Sequence, residues 1–93
     1  ADGLLTSLGT WTFPILQRHV SEILTVSESG IKSALRLIWE RMKIIVEPSA
    51  AVPLAAVLEY PDYFRGKSVG LILSGGNVDL ERLPEYLNET AFV

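Results

Sequence analysis

The chain has 93 residues, 48% of them apolar, with 8 basic against 11 acidic side chains, a formal charge of -3, one histidine and no cysteine. That length fits one domain or part of one, and a unit so small buries only about 60–65% of its unfolded surface, so this much apolar content points to a piece of a larger body or half of an interface. The charge balance leaves no footprint for nucleic acid, the composition excludes disulfides, thiolate metal sites, a Cys nucleophile and His-rich metal sites, and no apolar run nears the ~20 residues of a membrane span.

The first ten residues, with Gly3, Thr6, Ser7, Gly9 and Thr10, read as a loop. Residues 12–20 read as a short helix with Pro14 in its first turn, where a missing N–H does no harm. Glu22 to Val26 is brief and rich in β-branched residues, which predicts a strand. Ile31, Ala34, Leu35, Ile38, Trp39, Met42, Ile45 and Val46 then form one apolar stripe at the 3.6-residue period. Ser27 suits the N-cap, and Val26 and Ile31 stand at the two positions of a hydrophobic staple. Glu28–Lys32 and Arg36–Glu40 are i,i+4 pairs on the opposite face. Pro48 pushes its predecessor out of the α region, so this helix is predicted to end near Glu47.

Pro48 can open a second helix to about Tyr60, whose alanines allow close packing; Pro53 within it predicts either a late start or a kink. Pro61-Asp62 and Arg65-Gly66-Lys67 read as a turn region. Ser68 to Leu73 is a continuous apolar run of the kind found in strands buried on both faces of a parallel sheet. Ser74-Gly75-Gly76-Asn77 follows as a loop, and residues 84–89 as a last short helix. Helices alternating with strands give an α/β reading.

Ligands of open α/β sheets bind beyond the carboxyl ends of strands, which singles out Ser74-Gly75-Gly76-Asn77. Paired glycines permit close backbone approach and positive φ; a plain surface turn is the alternative. Gly66-Lys67-Ser68 is no phosphate loop, because the first glycine of that motif would fall on Pro61 and the triplet precedes its strand. The Arg36, Arg41 and Lys43 charges read as a solvated face, and Trp39 and Met42 as core. With no charged leader before the opening Ala1-Asp2-Gly3, a cytoplasmic location is expected.

Trp39-Glu40-Arg41-Met42-Lys43, Glu47-Pro48-Ser49-Ala50-Ala51 and Ile72-Leu73-Ser74-Gly75-Gly76-Asn77-Val78-Asp79-Leu80, in this order and spacing, resemble the C-terminal third of the serine racemases. The related pyridoxal-phosphate-dependent serine/threonine and hydroxyaspartate dehydratases of fold type II share the pattern. Ala1-Asp2-Gly3 and Phe13-Pro14-Ile15 match the same region. The resemblance implies that residues 1–93 are a single incomplete segment, the C-terminal part of the large, cofactor-binding α/β domain, with helices packed on a mostly parallel sheet.

It further implies pyridoxal 5'-phosphate as cofactor, with Ser74 hydrogen-bonded to the pyridine nitrogen, Gly75 beside it and Glu47 near the pocket. Lys43 and Asn77 match contacts to an ATP effector. Magnesium or calcium, like most of the ATP site, would be held by residues outside this segment, which contributes neither a metal ligand nor a catalytic residue. The implied reaction is elimination of water from a small β-hydroxy amino acid (serine, threonine or 3-hydroxyaspartate), giving a 2-oxo acid and ammonia; reprotonation from the opposite face would racemise it. Implied partners are the remainder of the enzyme chain, the amino-acid substrate and a second copy in a homodimer.

The sequence departs from that pattern in places. The Ser-Phe-Lys-x-Arg-Gly motif with the Schiff-base lysine, the glycine-rich phosphate loop and the acidic cation cluster are not in these 93 residues. Trp11 stands where some members have a cation-facing asparagine, and Ala50-Ala51 where many have a glycine. With Pro53, the alanines tilt the resemblance toward bacterial dehydratases. The competing reading from another class is a non-catalytic fragment or docking module of the same fold.

Overall fold

A computed structural model describes residues 9–87. In chain order the elements are α1 (Thr12–His19), α2 (Glu28–Leu37) continuing into a π-helical turn (Ile38–Met42), α3 (Pro48–Glu59), α4 (Pro61–Phe64), a 3₁₀ turn (Leu80–Arg82) and α5 (Leu83–Leu87). The predicted loop over residues 1–10 lies outside the described residues except for Gly9 and Thr10. Gly9 N–H there donates to Thr12 Oγ1 at 3.1 Å, at the start of α1.

The body is α2 packed on α3, with α5 beside α2. Ile31, Ala34, Leu35 and Ile38 from the apolar stripe meet Ala50, Ala51 and Ala55, and Val46 and Tyr86 close the core. Leu35 and Ile38 are its largest fully buried side chains, each worth about 1.5–3 kcal/mol of burial. The alanines let α2 and α3 approach closely, so their small size is what makes room for those two. Ser27 caps α2 as expected, its Oγ accepting from Gly30 N–H at 3.0 Å, and Val26 packs under it on the core while Ile31 is buried. Arg36 pairs with Glu40 at 2.9 Å.

The predicted continuation of α2 to Glu47 is wrong. The helix widens into the π turn, and Lys43 takes a left-handed conformation with φ 60° and ψ 32°. The β-branched Ile44-Ile45-Val46 is a poor helix former, and outside the helix it lies alongside Gly75-Gly76, with Val46 buried. Two residues of the predicted stripe therefore leave the core: Met42 is 56% exposed and Ile45 58%. α3 runs through Pro53 without interruption.

Neither predicted strand is present among the described residues. Residues 22–26 form a connection instead. Tyr60, just past the end of α3, donates its hydroxyl to the Thr25 carbonyl of this connection at 2.6 Å. Residues 68–73 have no regular structure, and Ile72 is 79% exposed. A strand exists only as part of a ladder, and among the described residues none lies beside this run. The turn region contains α4 and, at Gly66, a φ of 75° that favours glycine. The last helix begins one residue before Pro84, after a 3₁₀ turn in which Asp79 accepts from Glu81 N–H at 3.0 Å; its predicted end at Glu89 lies outside the described residues. α1 buries none of its residues.

Candidate functional site

Ser74-Gly75-Gly76-Asn77 is positioned by the segment that follows the left-handed turn at Lys43. Glu47 N–H donates to the Gly75 carbonyl at 3.0 Å. Its carboxylate fills the space that a Cβ on residue 75 would occupy, and a Cβ on residue 76 would stand 3.0 Å from the Ile45 carbonyl oxygen. Val78 N–H closes the turn onto the Gly76 carbonyl at 2.9 Å. Close approach therefore constrains Gly76 through backbone and Gly75 through a side chain that can move, and the approaching group is this chain's own Ile45–Glu47 segment where a ligand was expected. The anticipated positive φ is absent: among the described residues only Lys43 and Gly66 have one.

Ser74 projects an exposed hydroxyl that has no hydrogen-bond partner among the described residues. Asn77 is exposed one residue beyond Gly76, and Lys43 two residues before Ile45. The Ile45–Gly76 contact therefore brings the segments carrying these two side chains together.

A cleft of about 590 Å³ opens beside the turn, lined by Glu28 and Lys32 of α2, by Glu47, Pro48 and Ser49 at the start of α3, and by Asn77, Asp79, Arg82, Glu85 and Tyr86. It takes in Glu47 and Asn77, but neither Ser74, Gly75 nor Lys43 is on its wall. Four carboxylates face two cations there. Arg82 holds Glu85 in a two-pronged pair at 3.1 and 3.2 Å. That hydrogen bond, then the guanidinium charge, lowers the Glu85 carboxyl below its ordinary range, with Lys32 adding to the effect. No group of three or more His, Cys, Asp or Glu side chains that could hold a metal occurs among the described residues.

Two further interactions had no signal in the sequence. The Trp39 indole N–H donates to the Val46 carbonyl at 3.1 Å while its ring meets Tyr86 edge-on, centroids 6.4 Å apart. Glu59, 32 residues from Ser27, accepts from its backbone N–H and from its hydroxyl. Spacing reveals only partners on one element, and both contacts join separate ones.

The donor set fits one end of pyridoxal phosphate. A neutral hydroxyl without a hydrogen-bond partner among the described residues, on a turn held by the Glu47 N–H, has the chemistry to bond a pyridine nitrogen. The covalent end is not matched, since Lys32, Lys43 and Lys67 are the three lysines and none sits in the Ser-Phe-Lys-x-Arg-Gly context.

A model of the pyridoxal-phosphate dependent enzyme family matches residues 1–75, and the chain belongs to that family. It is 52% identical to a beta-hydroxyaspartate dehydratase of Paracoccus denitrificans over 90% of its own length and 27% of the relative's. It is also 52% identical to a serine racemase of Dictyostelium discoideum, over 95% and 28%. Among solved structures it resembles the Dictyostelium serine racemase, with a TM-score of 0.78 at 54% identity over 85% of this chain and 27% of that one. The T.th. threonine deaminase gives a TM-score of 0.81 at 52% identity over 86% and 26%. The chain spans little more than a quarter of the length of the curated relatives it matches. No helix among the described residues is long and apolar enough to cross a membrane.

Proposed function

We propose that the chain is the C-terminal segment of the large domain of a pyridoxal-phosphate-dependent dehydratase or racemase that eliminates water from a small β-hydroxy amino acid, serine, threonine or 3-hydroxyaspartate. The observation that carries this is the exposed Ser74 hydroxyl on a turn locked by Glu47, in a chain about equally similar to a hydroxyaspartate dehydratase and a serine racemase. When bound, the cofactor supplies the electron sink that loss of the α-proton and the β-hydroxyl requires.

Ser74 offers the ring nitrogen one hydrogen bond without a negative charge to hold a proton there, which keeps that sink weak and favours prompt departure of the β-hydroxyl. Glu47 and Gly75 set the position of that hydroxyl, the carboxylate occupying the space above the glycine. In the same reading residues 68–73 become a strand of the mostly parallel sheet once neighbouring strands flank them. Lys43 and Asn77 contact a nucleotide effector, supported by the Ile45–Gly76 contact that joins their segments; Lys43→Ala and Asn77→Ala should each weaken calorimetric ATP binding to the complete enzyme. A homodimer in the cytoplasm completes the proposal, resting on the resemblance alone.

Without the covalent anchor the isolated chain is inactive. Replacing Ser74 by Asp in the complete enzyme tests the assignment. Elimination should fall sharply, and unchanged turnover would show that this hydroxyl does not face the ring nitrogen.

A further inference from the structure

We infer that Trp39 is a positioning residue for the cofactor-facing turn: through its indole N–H it holds Ile44–Glu47 against Gly75-Gly76, and so fixes where the Ser74 hydroxyl stands. The inference rests on the reading of Ser74 given above.

In an uninterrupted helix Val46 would lie seven residues, about 10 Å, further along the axis than Trp39, with its carbonyl turned to its own helix. The π turn and the left-handed Lys43 abolish that geometry, and the Val46 carbonyl comes within 3.1 Å of the indole nitrogen. The indole itself has little freedom, being half-buried on the core with its ring edge-on to the buried Tyr86. From Val46 the connection is one covalent step to Glu47, whose N–H holds the Gly75 carbonyl at 3.0 Å and whose carboxylate covers Gly75. Ser74 is the next residue. Trp39 thus adds a directional hold on this segment to the burial of the Val46 side chain in the core, and a π turn placed at such a junction is a recurrent feature of functional sites.

The test compares the complete enzyme carrying Trp39→Phe with wild type and with Ser74→Ala. Phenylalanine keeps a six-membered ring to face Tyr86 and removes the N–H together with part of the indole, so the site-specific readout at Glu47 has to be set against exchange in the core helices. Loss of one such bond should speed hydrogen exchange of the Glu47 amide about fivefold, with exchange in α2 and α3 unchanged. The dissociation constant of pyridoxal phosphate should rise by a similar factor, and the absorbance of the bound cofactor should move in the direction seen for Ser74→Ala. Where Trp39→Phe does not fold, 3-benzothienylalanine at position 39, which exchanges only the indole N–H for sulfur, reads the same quantities. Wild-type exchange at Glu47 with wild-type cofactor affinity overturns the inference, as does acceleration spread evenly through α2 and α3, which would mark a purely structural role. If Ser74→Ala alters cofactor affinity and absorbance but Trp39→Phe alters neither, only the role of Trp39 falls. If Ser74→Ala itself alters nothing, the reading of Ser74 fails and takes this inference with it.

Discussion

Glu59, the last residue of α3, closes the N-terminus of α2 through Ser27, accepting the Ser27 backbone N–H at 3.0 Å and its hydroxyl at 2.5 Å. One carboxylate thereby joins the two helices that carry the core, and it sits where helix N–H groups and the dipole favour negative charge. Gly30 makes room for it, since a Cβ there would run into the carboxylate.

Gly30→Ala should therefore behave differently in two backgrounds. Alanine is favoured over glycine within a helix by about 1 kcal/mol. In the wild type that gain is offset by displacement of Glu59, whose loss as a cap costs about 1 kcal/mol. In the Glu59→Ala background only the Ser27 hydroxyl, 3.0 Å from that Cβ, still has to give, so Gly30→Ala should be more favourable there than in the wild type. Denaturant unfolding of the four proteins in the cycle should give a coupling of about 1 kcal/mol; equal effects of Gly30→Ala in both backgrounds would refute the interlock.

The two glycines of the turn should also differ. A methyl at Gly75 meets a carboxylate that can swing away, whereas a methyl at Gly76 meets the Ile45 carbonyl, which is backbone and cannot. Gly76→Ala should cost about 1–3 kcal/mol, as overpacking does, and Gly75→Ala less. Adding Glu47→Ala should relieve Gly75→Ala and leave Gly76→Ala unimproved. Thermal unfolding of the complete apoenzyme checks the order, and a larger loss at Gly75 would contradict it.

The Arg82–Glu85 pair should stabilise the fold at neutral pH and cease to do so in acid. Because the folded-state pKa of Glu85 is lowered, its contribution is present above the unfolded pKa and fades as pH falls through the lowered folded value. The difference in melting temperature between wild type and Glu85→Gln should be small, since the pair is exposed, and should vanish below the ordinary carboxylate range. A difference that grew with acidity would reverse the sign and exclude this origin.

The local features of α2 were legible because each depends on neighbours in the chain. The Ser27 cap, the Arg36–Glu40 pair and the buried face from Ile31 to Ile38 follow from spacings of three and four residues, and all are present, with Val26 packed against the core to which Ile31 belongs. The motifs around Ser74 were equally legible, since resemblance depends on residue order alone. What failed was whatever depended on a partner far along the chain. Residues 22–26 and 68–73 have the composition of strands, but strands need neighbours that the described residues do not supply. Met42 and Ile45 keep the stripe's period, yet the helix widens and reverses before reaching Ile45.

The sequence by itself determined the family, the core face of α2 and the turn that carries Ser74, since periodicity, capping and motif order are properties of a linear chain. Only the tertiary structure decided that Gly75 and Gly76 are glycines for the sake of Glu47 and Ile45, that Trp39 grips Val46, and that Glu59 caps a helix 32 residues away. These are contacts between separate elements, and they exist only where packing of α2 on α3 and the left-handed turn at Lys43 bring those elements within hydrogen-bond reach.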